Sequence, residues 1–208
     1  MVTNEEKRIA DEIFYRNIIK IVTEKILLSE INEIAYGVLS NYHILLPKRF
    51  VNGIIDLLDK FQSALWPKSN IAFEASAWSL AMNAMNFYRH FSKRSGPIEK
   101  GSPEIKNDYI DYSEYYKKFI DPNEQNTERE KYLAELETMD NYFLHILKSL
   151  NWFADIVRSE FDPNYFNLHG KFMNAHPGRL ILENEYIYSE EEKNENTEKY
   201  KLSKMMFL

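Results

Sequence analysis

Five side chains in the C-terminal half, Asn141, His145, Lys148, Trp152 and Asp155, recur every three or four residues and so share one face of a helix. An amide, an imidazole, an ammonium, a flat ring and a carboxylate in one line can grip a nucleotide or move a proton, because an unperturbed histidine titrates near neutral pH. Asn141, His145 and Lys148 are the candidate catalytic residues, and Trp152 and Asp155 the candidate binding residues. The competing reading of the same residues is a solvated face, with Trp152 covered by a neighbouring helix or by the C-terminal segment.

Other chemistry-bearing groups are more scattered. Arg89, His90, Lys93 and Arg94 cluster where a helix should end, a place that favours cations through the helix dipole. With Lys48 and Arg49 they could form an anion or RNA patch, and Arg89 and Arg94 are the binding candidates there. His169 and His176 lie seven positions apart in irregular chain, a spacing that matches no metal-ligand pattern, and no Glu-x-x-His pair is present. No metal site and no cofactor are expected. Met205, Met206, Phe207 and Leu208 follow a polar stretch, and an apolar, methionine-containing run of this kind suits docking on a partner or folding back on its own bundle.

The spacing Asp140-Asn141-x-x-x-His145 partly resembles the arginine-led RNxxxH signature of HEPN ribonucleases, which are also helical bundles. Asp140 stands where that signature carries arginine, which removes the cation expected to stabilise a phosphoryl transition state. The resemblance therefore does not assign the chain to that family.

The elements that must position these residues are helical. Tyr132, Leu136, Met139, Phe143, Ile146, Leu150, Phe153 and Val157 step alternately by four and three, which predicts one long helix over about 125–161 with a continuous apolar seam. Residues 71–91 carry five alanines among large apolar side chains and leave no wide polar face, the pattern of a central helix. Thr3 or Asn4 ahead of Glu5 and Glu6 marks a helix start, followed by the stripe Ile9, Ile13, Phe14, Ile18, Ile21, Val22 and Ile26. Ser29 opens a second helix, and Pro47 a third that runs to Pro67. Residues 95–108 read as a loop, and Tyr109–Ile120 as a short aromatic helix.

Only 6 Gly and 7 Pro in 208 residues disfavour a many-turned β architecture. The absence of cysteine excludes disulfides, thiolate catalysis and cysteine-ligated zinc, and fits a reducing compartment. A net charge of −6 disfavours a general nucleic-acid coat. A charged N-terminal stretch and the lack of any long apolar run predict no membrane span and a cytoplasmic location.

The expected architecture is an all-α bundle of five or six helices over residues 1–161. A C-terminal extension, 162–208, is expected to carry an acidic spacer and an apolar end, with room for a small β-hairpin pairing Leu180–Leu182 with Tyr186–Tyr188. The expected function is a non-enzymatic interaction or regulatory subunit that assembles with itself or with a protein partner. An RNA- or nucleotide-processing helical enzyme is the first alternative, and a nucleic-acid-binding module the second.

Overall fold

A computed structural model of the chain describes residues 3–39, 44–97, 103–112, 125–166, 171–172 and 183–205. Helix α1 (Asn4–Lys25) begins with a capping box. The Thr3 hydroxyl accepts from the Glu6 N–H, and the Glu6 carboxylate reaches back to the Thr3 N–H. Helices α2 (Ile31–Leu39), α3 (Lys48–Ser63) and α4 (Ile71–Ser92) follow, α3 starting directly after Pro47. The long helix is α6 (Gln125–Glu160), preceded by the short α5 (Pro103–Asp108) and followed by α7 (Glu190–Met205). At 36 residues α6 spans about 54 Å at ~1.5 Å per residue.

All eight residues of the predicted seam are buried, from Tyr132 to Val157. They meet α4, whose Phe73, Ala77, Leu80, Ala84, Phe87 and Phe91 are also buried. Phe87 meets Phe143 edge-on at 5.3 Å, and Phe73 meets Phe153 at 5.3 Å. Small and large side chains together let the apolar surfaces of α4 and α6 interlock. The sequence reading of an all-α bundle built around these two helices is what the molecule adopts.

Three local expectations are corrected. The first is α1, whose stripe does not reach the core along its whole length. Ile18, Val22 and Ile26 are buried, but residues 3–10 are exposed, with Ile9 at 47% and Ile13 at 57% exposure. Apolar spacing placed these residues on a helix but not against a neighbour.

The second is the region between α4 and α6, which contributes to a small antiparallel sheet. Strands β1 (Leu45–Pro47), β2 (Gly96–Pro97) and β3 (Tyr109–Asp111) lie in the order β1-β3-β2, with Leu46 opposite Ile110 and Pro97 opposite Ile110. Strands of two or three residues are too short to show an alternating pattern. Tyr109–Asp111 is thus extended rather than helical, and residues 113–120 of the expected aromatic helix lie outside the described residues.

The third is the C-terminal extension. Glu183–Tyr186 is a 3-10 turn, so Tyr186 is not in a strand, and residues 180–182 of the expected hairpin lie outside the described residues. Most of the acidic stretch is helix α7, which packs on α4. Its seven glutamates and two lysines over 183–199 read as a solvated spacer by composition. Tyr188 and Tyr200, set 12 residues apart, supply the buried ends that hold it to the bundle.

No helix of the described residues is long and apolar enough to cross a membrane.

Candidate functional site

The face of α6 opposite the seam is covered in part by the C-terminal segment, which buries Trp152 and leaves Asn141 and His145 exposed. Trp152 is only 7% exposed and forms a small apolar cluster with Ala75, Tyr188 and Tyr200, flanked by Trp78 and Ile156. Tyr188 stands edge-on to Trp152 at 6.2 Å and lies beside the His145 ring at 6.2 Å. The Lys148 ammonium donates to Glu192 at 3.0 Å and sits 5.5 Å above the Tyr188 ring. Behind them the Asn83 amide donates to Ser149 at 2.7 Å and to the Tyr188 hydroxyl at 2.9 Å, while Ser149 donates to the His145 carbonyl at 2.8 Å.

These contacts set the electrostatics. Partial burial of the ring and the nearby Lys148 cation push His145 below the ordinary histidine value. Burial opposes ionisation of Glu192, but the Ser189 N–H and the Lys148 ammonium outweigh it and hold the carboxyl below the usual carboxylate range. The site thus offers an imidazole biased away from its charged form beside an ammonium paired with the Glu192 carboxylate. Asn141 lies exposed. Asp155 is engaged differently, accepting from Arg158 at 3.0 Å and from Lys171 at 2.6 Å, so it fastens the chain that follows α6.

Asn151 is a further fixing point and was not among the residues singled out by sequence. Fully buried, it accepts from the Phe172 N–H at 2.8 Å and donates to the Phe172 carbonyl at 2.9 Å and the Tyr186 carbonyl at 2.8 Å. One amide thereby satisfies three backbone groups from two stretches of chain. Asn151→Ala orphans all three, and each buried group left without a partner costs roughly 1–3 kcal/mol. The expected result is a stability loss of about 3 kcal/mol or more, read from the urea midpoint, with loss of hydrogen-exchange protection at the Phe172 amide. An unchanged midpoint would contradict the anchoring role.

A second buried polar centre lies at the start of α4. Glu74 is 0% exposed, and its carboxylate accepts from the Tyr15 hydroxyl at 2.7 Å, the Lys68 N–H at 2.7 Å and the Tyr200 hydroxyl. Because Tyr15 donates to Glu74, its oxygen accepts from Ser69 at 2.9 Å and from the Asn70 N–H at 3.0 Å. Burial, reinforced by the Glu74 carboxylate and opposed by Ser69, pushes Tyr15 up to about 12. Burial and the same carboxylate raise Tyr200 as well. A charged residue in a helix that is apolar on all sides was the available signal for Glu74, since such a group has no wet face to reach.

The basic cluster is divided between two sides of α4. Arg94 donates to Glu135 of α6 at 2.8 Å, and the His90 ring lies 3.0 Å from the other Glu135 oxygen and 3.2 Å from the Tyr112 hydroxyl. Burial and the Arg94 charge lower the His90 value against the opposing pull of Glu135. Arg89 instead lines a groove of about 210 Å³ with Ile55, Leu58 and Asp59 of α3. Arg49 pairs with Glu30. Arg89, Arg94 and Arg49 therefore face three different surroundings rather than one shared patch.

An open groove of about 520 Å³ beside α1 places Lys7 and Arg8 next to Asp11, Glu12 and Glu160, so neither sign of charge dominates it. Among the described residues no group of three or more histidine or acidic side chains is arranged to hold a metal ion. Met205 closes α7, and Met206, Phe207 and Leu208 lie outside the described residues. Comparison of the chain with protein-family models, with curated proteins and with solved structures finds no match in any of the three.

Proposed function

We propose that the protein is a helical interaction or regulatory subunit that works by seating helices, assembling with a second copy or with a protein partner, and that it performs no catalysis of its own. The observation that carries this reading is the use made of the outer face of α6. Lys148 holds Glu192, Trp152 packs on Tyr188, and Asn151 binds the backbone at Phe172 and Tyr186. Lys148 and Trp152, two of the five candidate residues, are thus engaged in holding another stretch of the chain, while Asn141 and His145 remain exposed beside it. Ile9 and Ile13, on the exposed turns of α1, add apolar surface that association can bury.

The test is the mass of the intact chain in solution, measured by light scattering from low micromolar to near-millimolar concentration. Self-assembly gives a mass above that of one chain that rises with concentration. A one-chain mass throughout overturns self-assembly. His145→Ala should leave the association unchanged in a folded chain, since its imidazole lies 3.5 Å from the Tyr188 hydroxyl and is not the group that fastens it.

A nucleotide- or RNA-processing reading draws on one feature, the lowered His145 value, which keeps the imidazole in the form able to accept a proton near neutral pH. Phosphodiester cleavage that disappears in a folded His145→Ala variant would favour it over the interaction reading.

A further inference from the structure

The outward side of α1 carries Glu6, Ile9, Ile13 and Arg16, spaced by three, four and three residues. That spacing sets the four side chains in one line along the helix, and all four are exposed. The buried residues of α1, Tyr15, Ile18 and Val22, lie on the opposite side. Ile9 and Ile13 thus form a small apolar strip pointing away from the bundle, with an acid at one end and a base at the other.

The strip is symmetric about the level of Asp11. Ile9 and Ile13 stand two residues to either side of it, and Glu6 and Arg16 five residues to either side. A second α1 laid antiparallel across this level sets Ile9 against Ile13 of the other copy and Glu6 against its Arg16, each pairing occurring twice, as a twofold contact requires. A parallel arrangement would instead stack Glu6 on Glu6 and Arg16 on Arg16, and like charges in register repel. The order of charges along the strip therefore fits a second copy, and in one direction only.

Charge argues for the place as well as the direction. The chain has a net charge of −6, so two copies repel on approach. Helix α1, with the sequence NEEKRIADEIFYRNIIKIVTEK, holds five acidic and five basic side chains and adds nothing to that repulsion. Glu6 accepts from the Thr3 N–H and Arg16 pairs with Glu12, yet the Arg16 side chain is still 54% exposed. Both ends of the strip stay within reach of an opposite charge on another molecule.

We propose that α1 is a self-association surface through which two copies pair antiparallel, Ile9 packing on Ile13 and Glu6 meeting Arg16. This rests on the self-assembling form of the function proposed above and names the face responsible. With two isoleucines from each chain at its centre, the contact belongs to the weak, transient class and fills only at high concentration.

The test is light scattering on intact chains up to near-millimolar concentration, with the charges exchanged. Glu6→Arg makes base meet base and Arg16→Glu makes acid meet acid, so each variant alone should associate roughly tenfold more weakly than the parent. Mixed in equal amounts, the two variants meet base to acid at both ends and association returns, as it does in the Glu6→Arg/Arg16→Glu chain. Glu6→Arg also removes the capping bond to Thr3, so Ile13→Ser, which leaves the cap alone, is the second variant and should abolish the multimer. Circular dichroism verifies that each variant keeps the helix content of the parent.

Weakening by the single charge reversals with no return in the mixture overturns the antiparallel pairing. Single variants that all associate as the parent does overturn α1 as the surface and leave self-assembly to another face, so the broader reading stands without this one. A one-chain mass for the parent at every concentration removes self-assembly and this pairing together.

Discussion

Gly53→Ala is expected to destabilise the fold by about 2–3 kcal/mol, even though alanine is the better helix former by about 1 kcal/mol. Gly53 is buried in α3 where that helix crosses the end of α1. A Cβ there would stand 2.0 Å from the Lys25 carbonyl oxygen and 2.9 Å from its carbon. Both atoms are backbone, so no side-chain rotation relieves the overlap and the two helices must separate. The crossing is held further by the Lys25–Asp56 ion pair at 2.5 Å and by the buried neighbours Ile54 and Val22. Asn52→Ala, one position earlier and exposed, is the control and should be neutral or slightly stabilising. Urea unfolding of the two variants beside the parent chain decides the matter. If Gly53→Ala is as stable as the parent, the close approach of α1 and α3 is wrong.

Glu74→Ala should be comparably severe, for a different reason. The substitution removes the acceptor of the Tyr15 and Tyr200 hydroxyls and of the Lys68 N–H, in surroundings where water does not replace it. Each orphaned donor costs roughly 1–3 kcal/mol, so a loss of about 3 kcal/mol or more is expected. Glu74→Gln keeps the shape and one acceptor oxygen. A tyrosine hydroxyl can then turn to accept from the new amide, and the loss should fall to about 1–2 kcal/mol. The ordering Ala worse than Gln, measured by denaturant midpoints, is the decisive outcome. Equal and small effects would mean that the carboxylate is not the acceptor that ties α1, α4 and α7 together.

The architecture was legible where apolar residues recur over many turns. The seam from Tyr132 to Val157 and the alanine-rich run from Ile71 both report burial on a neighbour, because a helix of that length has no other use for so regular a pattern. The same reasoning failed at Ile9 and Ile13, since periodicity gives the face of a helix but not how far its neighbours extend. The sheet escaped because Gly96–Pro97 and Tyr109–Asp111 are too short to alternate visibly.

The candidate site was half legible. His145, Lys148 and Trp152 do share one neighbourhood, as their spacing requires. What covers Trp152 and pairs with Lys148 was hidden in Tyr188, Glu192 and Tyr200, a long way on in sequence and scattered through an acidic text whose composition suggests solvation. Arg89 and Arg94 show the reverse, being near in sequence yet turned to different sides of α4. Asn151 gave no warning either, for an amide beside a seam looks like any polar flank until its three backbone partners are known.

Glu192 divides its two oxygens. One receives the Ser189 N–H at 2.7 Å and so closes the first turn of α7, and the other receives Lys148 of α6 at 3.0 Å. The carboxylate that initiates the helix is thus the one that binds it in place. A sixteen-residue segment rich in charged side chains is a marginal helix by itself, so coiling and docking become a single cooperative event. Release from α6 then means melting.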